Sequence, residues 1–257
     1  MRCVMNTLRI VLGLAFLFTL PQAQAGLYRR EAVPMADQGP RSDAQVYLPK
    51  NFSRDRRWPL VVLLHGFTST ATLQELYMML GNHVSKKGFV LLVPEGTANS
   101  KGEHFWNATE QCCDGERSGV DDSGYLQRLI TKVEARYAID SHRISLYGHS
   151  NGSFMAHRLA CDAGGRFSGI ASLAGSTFAD PTFCEDRQPV SILHAHGTGD
   201  ATIPYAGAPN IPGAIALMEH WSRRDGCTGT DVRNGALDLS PLVPGADTDV
   251  LSWTGCR

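Results

Sequence analysis

Residues 146–157 read LYGHSNGSFMAH, and within them Gly148 and Gly152 stand two residues to either side of Ser150. Apolar residues lead into the serine, and a helical pattern leaves it. A strand that passes directly into a helix must turn very sharply at the junction. Residues two before and two after the corner then come close together, and glycine leaves the room that this needs. Such a corner lifts the serine hydroxyl into a crevice at the sheet's carboxyl edge and sets the first N–H groups of the helix beside it. This is the G-x-S-x-G nucleophile elbow. The chemistry it serves is attack of a serine oxygen on a carbonyl carbon. A glycine-rich turn with a solvated serine is the plainer alternative; a strand before and a helix after favour the elbow.

A serine hydroxyl needs a base, and the base needs a carboxylate to orient it. With this elbow the chain order is serine, acid, histidine. In SILHAHGTGDATIPY a strand, Val190 to Ala195, ends in a glycine-rich turn and then Asp200. Asp200 is therefore the candidate acid; the alternative is an aspartate that only caps the turn. Two backbone donors are needed for the developing oxyanion. The Asn151 N–H follows the serine. The Phe67 N–H, in VVLLHGFTS, follows a strand that ends at His65-Gly66; here the alternative is an ordinary strand-to-helix loop.

These residues need a scaffold. Short apolar runs at Pro59 to Leu64, Phe89 to Val93, Arg143 to Tyr147, Ile170 to Ala174 and Val190 to Ala195 read as strands, with a further alternating segment at Ala44 to Leu48. Helical spacing covers residues 71–86, with Leu73, Leu76, Tyr77, Leu80 and Val84 on one stripe, and recurs over Val120 to Tyr137, Phe154 to Cys161 and Ala214 to Arg224. Asp121 or Asp122 caps the second of these, and Gly226 follows the last. Apolar strands joined through helices predict one α/β domain, a mostly parallel sheet with helices on both faces.

The chain has 257 residues, 43% hydrophobic and 19% charged, with formal net charge −1. That fills a sizeable core, and no global field points toward nucleic acid or an anionic membrane. At the N-terminus Arg2 and Arg9 flank a short basic region. An apolar run from Ile10 to Leu20 follows, then Pro21-Gln22-Ala23-Gln24-Ala25. This pattern reads as a secretory signal peptide, residues 1–25, leaving a catalytic domain at 26–257. As an anchor the run would cover only about half a bilayer core. Nothing else in the sequence is apolar enough to span a membrane once the signal is cleaved. Cys3 leaves with the signal. Cys112, Cys113, Cys161, Cys184, Cys227 and Cys256 remain, an even number in an oxidising compartment, which predicts disulfides of undetermined connectivity. The spacing is poor for zinc, so no metal and no cofactor is expected.

The segments LVVLLHGFTS, FWNATEQCCDGERSGVDDSGYLQRLI, YGHSNGSFMAHRLAC, HGTGDATIPYAG and HWSRRDGC resemble, in the same order, secreted serine esterases of the feruloyl esterase and polyhydroxybutyrate depolymerase group within the α/β-hydrolases. They cover most of residues 44–256, and the Cys-Cys and Val-Asp-Asp stretch is more like the feruloyl-esterase branch. The resemblance implies an α/β-hydrolase fold with Ser150 as nucleophile and Asp200 as orienting acid. It implies Trp106 near the cleft against the acyl group, with core packing as the alternative; His149 joins it as a substrate-contacting candidate. It also implies disulfides Cys161–Cys184 and Cys227–Cys256, leaving Cys112 and Cys113 as an adjacent pair or with other partners. The expected activity is hydrolysis of plant cell-wall phenolic or acetyl esters through an acyl-enzyme, on a polymeric or polymer-attached substrate outside the cell or in the periplasm. Polyhydroxyalkanoate depolymerisation, a peptidase, and a non-catalytic polymer-binding remnant are the alternatives.

The family pattern next supplies a last sheet strand and a glycine-rich loop carrying the catalytic histidine. In this sequence VLSWTGCR ends at Arg257, and the histidine after Asp200 is His220, within the helix Ala214 to Arg224 that the resemblance makes structural. His194 and His196 read as support for the site. The expectation is therefore a sheet lacking its last strand and histidine loop, in a truncated chain or one that has lost its base.

Overall fold

Alternate residues along the central strands point to opposite faces of a sheet, and the packing divides accordingly. Val46, Leu48, Leu60, Val62, Leu64, Leu92, Ile144, Leu146 and Ile170 belong to one buried cluster, whereas Tyr47, Leu63, Leu91 and Val93 belong to a second on the other face. The structure, a computed structural model, describes residues 27–36, 39–184, 188–229, 232–240 and 242–257. The expected signal peptide lies outside the described residues.

In chain order the elements are β1 (Tyr28–Val33), β2 (Ala44–Pro49), β3 (Trp58–Leu64), α1 (Ala71–Met78), a 3-10 turn (Leu80–His83), α2 (Val84–Lys87) and β4 (Val90–Val93). A small hairpin follows, β5 (Thr97–Ala98) and β6 (His104–Phe105), then α3 (Asp122–Tyr137), β7 (Ile139–His149), α4 (Asn151–Ala163), β8 (Gly169–Leu173) and β9 (Ser191–Ala195). The remainder is β10 (Gly207–Ala208), β11 (Ile211–Pro212), α5 (Ala214–Arg224), β12 (Val232–Leu237) and β13 (Thr248–Ser252).

Seven strands form the main sheet in the order β1-β2-β4-β3-β7-β8-β9. The pairings from β4 through β3, β7 and β8 to β9 are parallel; β1 and β2 add on antiparallel. Helices α3, α4 and α5 contribute to the larger cluster on one face, and α1 and α2 to the smaller cluster on the other. The α/β-hydrolase architecture expected from the sequence is thus the one observed. β9 forms one edge, and its Leu193 is 67% exposed.

Several elements differ from the sequence reading, the short hairpins β5–β6 and β10–β11 among them. β1, YRREAV, and the hairpin β12–β13 were not expected; both are polar or exposed pairs in which alternation is weak. The single helix expected over 71–86 is broken at Met79, whose backbone is left-handed with φ 52° and whose N–H bonds Glu75 O. The expected apolar stripe on α1 also faces the wrong way: Leu73, Leu76 and Tyr77 are exposed, while Gln74 and Glu75 are buried. Burial there follows hydrogen bonding rather than hydropathy, because the Glu75 carboxyl accepts the Gly81 N–H and Gln74 Oε1 accepts the Gly66 N–H. Disulfides join Cys112–Cys113, Cys161–Cys184 and Cys227–Cys256. Among the described residues no helix is long and apolar enough to cross a membrane.

Candidate active site

β7 runs straight into α4, and Ser150 is the corner, with φ 52° and ψ −120°. That conformation is costly for a residue with a Cβ and persists only where its surroundings impose it. They do so through the two glycines. A Cβ on Gly148 would lie 2.2 Å from Gly152 O, and one on Gly152 would lie 2.2 Å from Leu64 O. The Ser150 N–H bonds Leu173 O at the end of β8, and Ser150 O receives the N–H groups of Ser153 and Phe154 as the helix starts. Ser150 is partly exposed.

The loop after β3 packs on this corner. A Cβ built on Gly66 would lie 3.4 Å from Ser150 Cβ. The loop is held by buried polar groups. His65 Nε2 accepts the Gly96 N–H at 2.9 Å, so its proton sits on Nδ1, which donates to Gly66 O at 2.8 Å. Burial holds the His65 pKa down to about 4, so the Glu95 carboxyl 3.3 Å away faces a neutral ring, not an ion-pair partner. Burial also pushes Glu95 up, while it accepts the Ala71 N–H. Phe67, next along the loop, is 42% exposed.

Asn151 opens α4, where the first N–H groups have no preceding turn to accept them. Its side chain is fully buried and locked to Trp106: Oδ1 accepts the Trp106 N–H at 2.7 Å and Nδ2 donates to Trp106 O at 2.9 Å, with Cys112 Sγ at 3.3 Å. Trp106 itself is 0% exposed, which corrects the cleft-lining expectation. Its indole N–H is spent on His65 O. Trp106 therefore ties the loop bearing Phe67 to the residue after the serine, and acts on the site from within. Position 106 is read in the sequence as an aromatic near the site; its role as a tie depends on backbone partners that no spacing rule reveals.

His149 is half-buried, with Nδ1 3.3 Å from Gln74 Oε1 and its ring 5.6 Å from that of Tyr77. Gln74 thus bridges the Gly66 loop and His149, a role the sequence reading missed. Burial lowers the His149 pKa, and the Asp200 charge opposes that shift.

Asp200 lies in the loop after β9. His149 pairs in register with Leu173, and Leu173 with Ala195. Ser150 and the loop after Ala195 therefore leave the same end of the sheet, two strands apart, about 10 Å at ordinary spacing. Asp200 Oδ1 accepts the N–H groups of Thr202 (2.8 Å) and Ile203 (3.0 Å), and these bonds hold its carboxyl below the usual range. Oδ2 faces His196 Nε2 at 3.5 Å. His220 is on α5 beside Trp221, as expected of a structural helix. Among the described residues no side chain is hydrogen-bonded to the Ser150 hydroxyl.

The buried imidazoles give a testable pH dependence. His65 and His194 each have a folded pKa of about 4, below the ordinary 6.5. Between those values the unfolded chain binds more protons, so stability falls as pH drops through that window and is fully present above it. The urea midpoint should decrease from neutral pH toward pH 4.5. His65→Asn, which cannot titrate, should reduce that decrease; an unchanged pH slope would contradict the assignment.

A mostly parallel sheet with helices on both faces and a serine at a strand-to-helix corner defines an α/β-hydrolase-type protein. The chain belongs to the putative esterase family, whose model matches residues 38–231. It is 25% identical over 178 residues to a bifunctional acetylxylan esterase/xylanase of Neocallimastix patriciarum, covering 69% of this chain and 23% of that protein. It is 28% identical over 116 residues to a probable feruloyl esterase C of Aspergillus terreus, covering 45% of this chain and 40% of the relative. The chain thus spans less than half the length of these curated relatives. An acetyl xylan esterase from Aspergillus awamori shares the fold, with a TM-score of 0.65 at 16% identity, over 89% of this chain and 90% of that one.

Proposed function

We propose that the protein is an exported carboxylic ester hydrolase that uses Ser150 as nucleophile. The observation that carries the reading is the forced left-handed backbone of Ser150 between two glycines that admit no side chain, with the Gly66 loop packed against it. The serine oxygen forms a bond to the ester carbonyl carbon and gives its proton to a base. The Asn151 and Phe67 N–H groups receive the oxyanion, and collapse releases the alcohol with that proton. Water then attacks the acyl-enzyme and frees the acid. The reading calls for an imidazole base between Asp200 Oδ2 and Ser150 Oγ, with Asp200 orienting it. His149, beside Tyr77, would contact the substrate. Three disulfides support maturation in an oxidising compartment.

The relatives' names point to acetyl and feruloyl esters on xylan as the substrate class. Acetylated and feruloylated xylan incubated with the chain should release acetate or ferulate, measured chromatographically. Release of hydroxyacids from a polyester, and none from xylan, would overturn that substrate class. Retention on xylan without any product would favour a binding protein over an enzyme.

A further inference from the structure

Beneath the serine corner lies a line of buried polar side chains that acyl transfer does not use. Ser172 on β8 and His194 on β9 are register partners, so their side chains leave the same face of the sheet. His157, fully buried on α4, and Ser153 meet them there. The line continues through His194 to His196, and His196 reaches the loop of Asp200.

The proton positions follow from one end. Ile203 O can only accept, and His196 Nε2 lies 2.7 Å from it, so the His196 proton is on Nε2. Its Nδ1 is then an acceptor, filled by the Nε2–H of His194 at 3.1 Å. His194 Nδ1 in turn accepts the Ser172 hydroxyl at 2.8 Å. With that proton spent, Ser172 Oγ accepts from His157 Nε2 at 3.0 Å and from the Ser153 hydroxyl at 2.5 Å. Every donor points the same way, toward Ile203 and Asp200. Burial keeps His157 and His194 neutral, as this order requires. The far end of the His196 N–H also faces Asp200 Oδ2 at 3.5 Å.

We propose that His196 is a positioning residue for Asp200, locked in one tautomer by a one-way hydrogen-bond chain from Ser153 and His157 through Ser172 and His194, which fastens the acid's loop to the helix that begins at Ser150. The proposal rests on the reading of Asp200 as the orienting acid. It makes the separation of nucleophile and acid a property of the buried interior. The loop alone would not fix it: Gly197 and Gly199 have open space around them.

Full-length chain labelled with ¹⁵N-histidine tests it by NMR. His194 and His196 should both be Nε2–H tautomers, with His194 uncharged at neutral pH. His196→Leu should raise solvent exchange of the His194 Nε2–H about tenfold and move the ¹³C-detected Asp200 titration upward toward the ordinary carboxylate value. His196→Gln, whose amide nitrogen can replace Nε2, should restore both. An Nδ1–H tautomer at His196, or a leucine variant with both readouts unchanged, would overturn the proposal. If the leucine variant does not fold, the tautomer of the wild-type chain decides alone. These signals do not depend on turnover, so a Ser150→Ala variant that still hydrolyses esters would sink the functional reading while leaving them as they are.

Discussion

Alanine at position 150 should abolish ester hydrolysis and leave the fold intact. In enzymes whose serine, base and acid act as a unit, loss of the serine costs on the order of 10⁶ in kcat. With no described side chain hydrogen-bonded to the Ser150 hydroxyl, that figure is the ceiling here, and the oxyanion donors and binding alone sustain about 10³–10⁴ over water. The Asn151 and Phe67 N–H groups would survive the substitution, because Trp106, His65 and Gln74 hold them through contacts that exclude the serine side chain. The backbone at 150 has φ 52° with either residue, so the strain is common to both chains. Turnover of p-nitrophenyl acetate and incorporation of a fluorophosphonate probe should both vanish, with a melting temperature close to that of the parent. Equal probe incorporation in the alanine variant would remove Ser150 from the mechanism.

Gly152→Ala should be strongly destabilising. Position 152 is helical, where alanine is ordinarily preferred to glycine by about 1 kcal/mol. Here the new Cβ would sit 2.2 Å from Leu64 O and 2.6 Å from His65 O. Both are backbone atoms of the strand and loop behind Ser150, so neither can swing aside. Overpacking of this kind costs about 3 kcal/mol or more, which for a domain of this size lowers the melting temperature by about 6–12 °C. Gly115→Ala, with no atom within 4 Å of the added carbon, is the control and should change stability by less than about 0.5 kcal/mol. Comparable melting of the two variants would mean that the corner is looser than described.

The parts of this site that could be read in the sequence are those where one residue type has one physical use. Glycines two residues from a serine are needed only if the chain turns sharply there, and the contacts at Gly148 and Gly152 bear that out. Central strands such as β3 and β4 are apolar because both faces are covered, so continuous hydrophobic runs located them. β1 escaped notice because it lies at the sheet margin and alternates weakly. At Trp106 the core-packing alternative is the one observed, whereas the stripe on α1 departs from expectation. Hydropathy predicts who avoids water, but at these positions backbone donors and acceptors decide who is buried. Gln74 and Glu75 go inside to hold Gly66 and Gly81, and the leucines beside them are turned out. No periodicity in a single chain reports such tertiary partners.

That reversal on α1 has a consequence for how the protein can diversify. Leu73, Leu76 and Tyr77 stand in solvent, and of these the Tyr77 ring lies beside His149, so they contribute little to folding. Their identity is free to drift toward bulk, aromaticity or charge, while Gln74 and Glu75 are pinned. The exposed face of α1 is therefore open to change at low structural risk, and on the proposed reading new ester preferences have a route, through Tyr77 beside His149, that leaves the scaffold untouched.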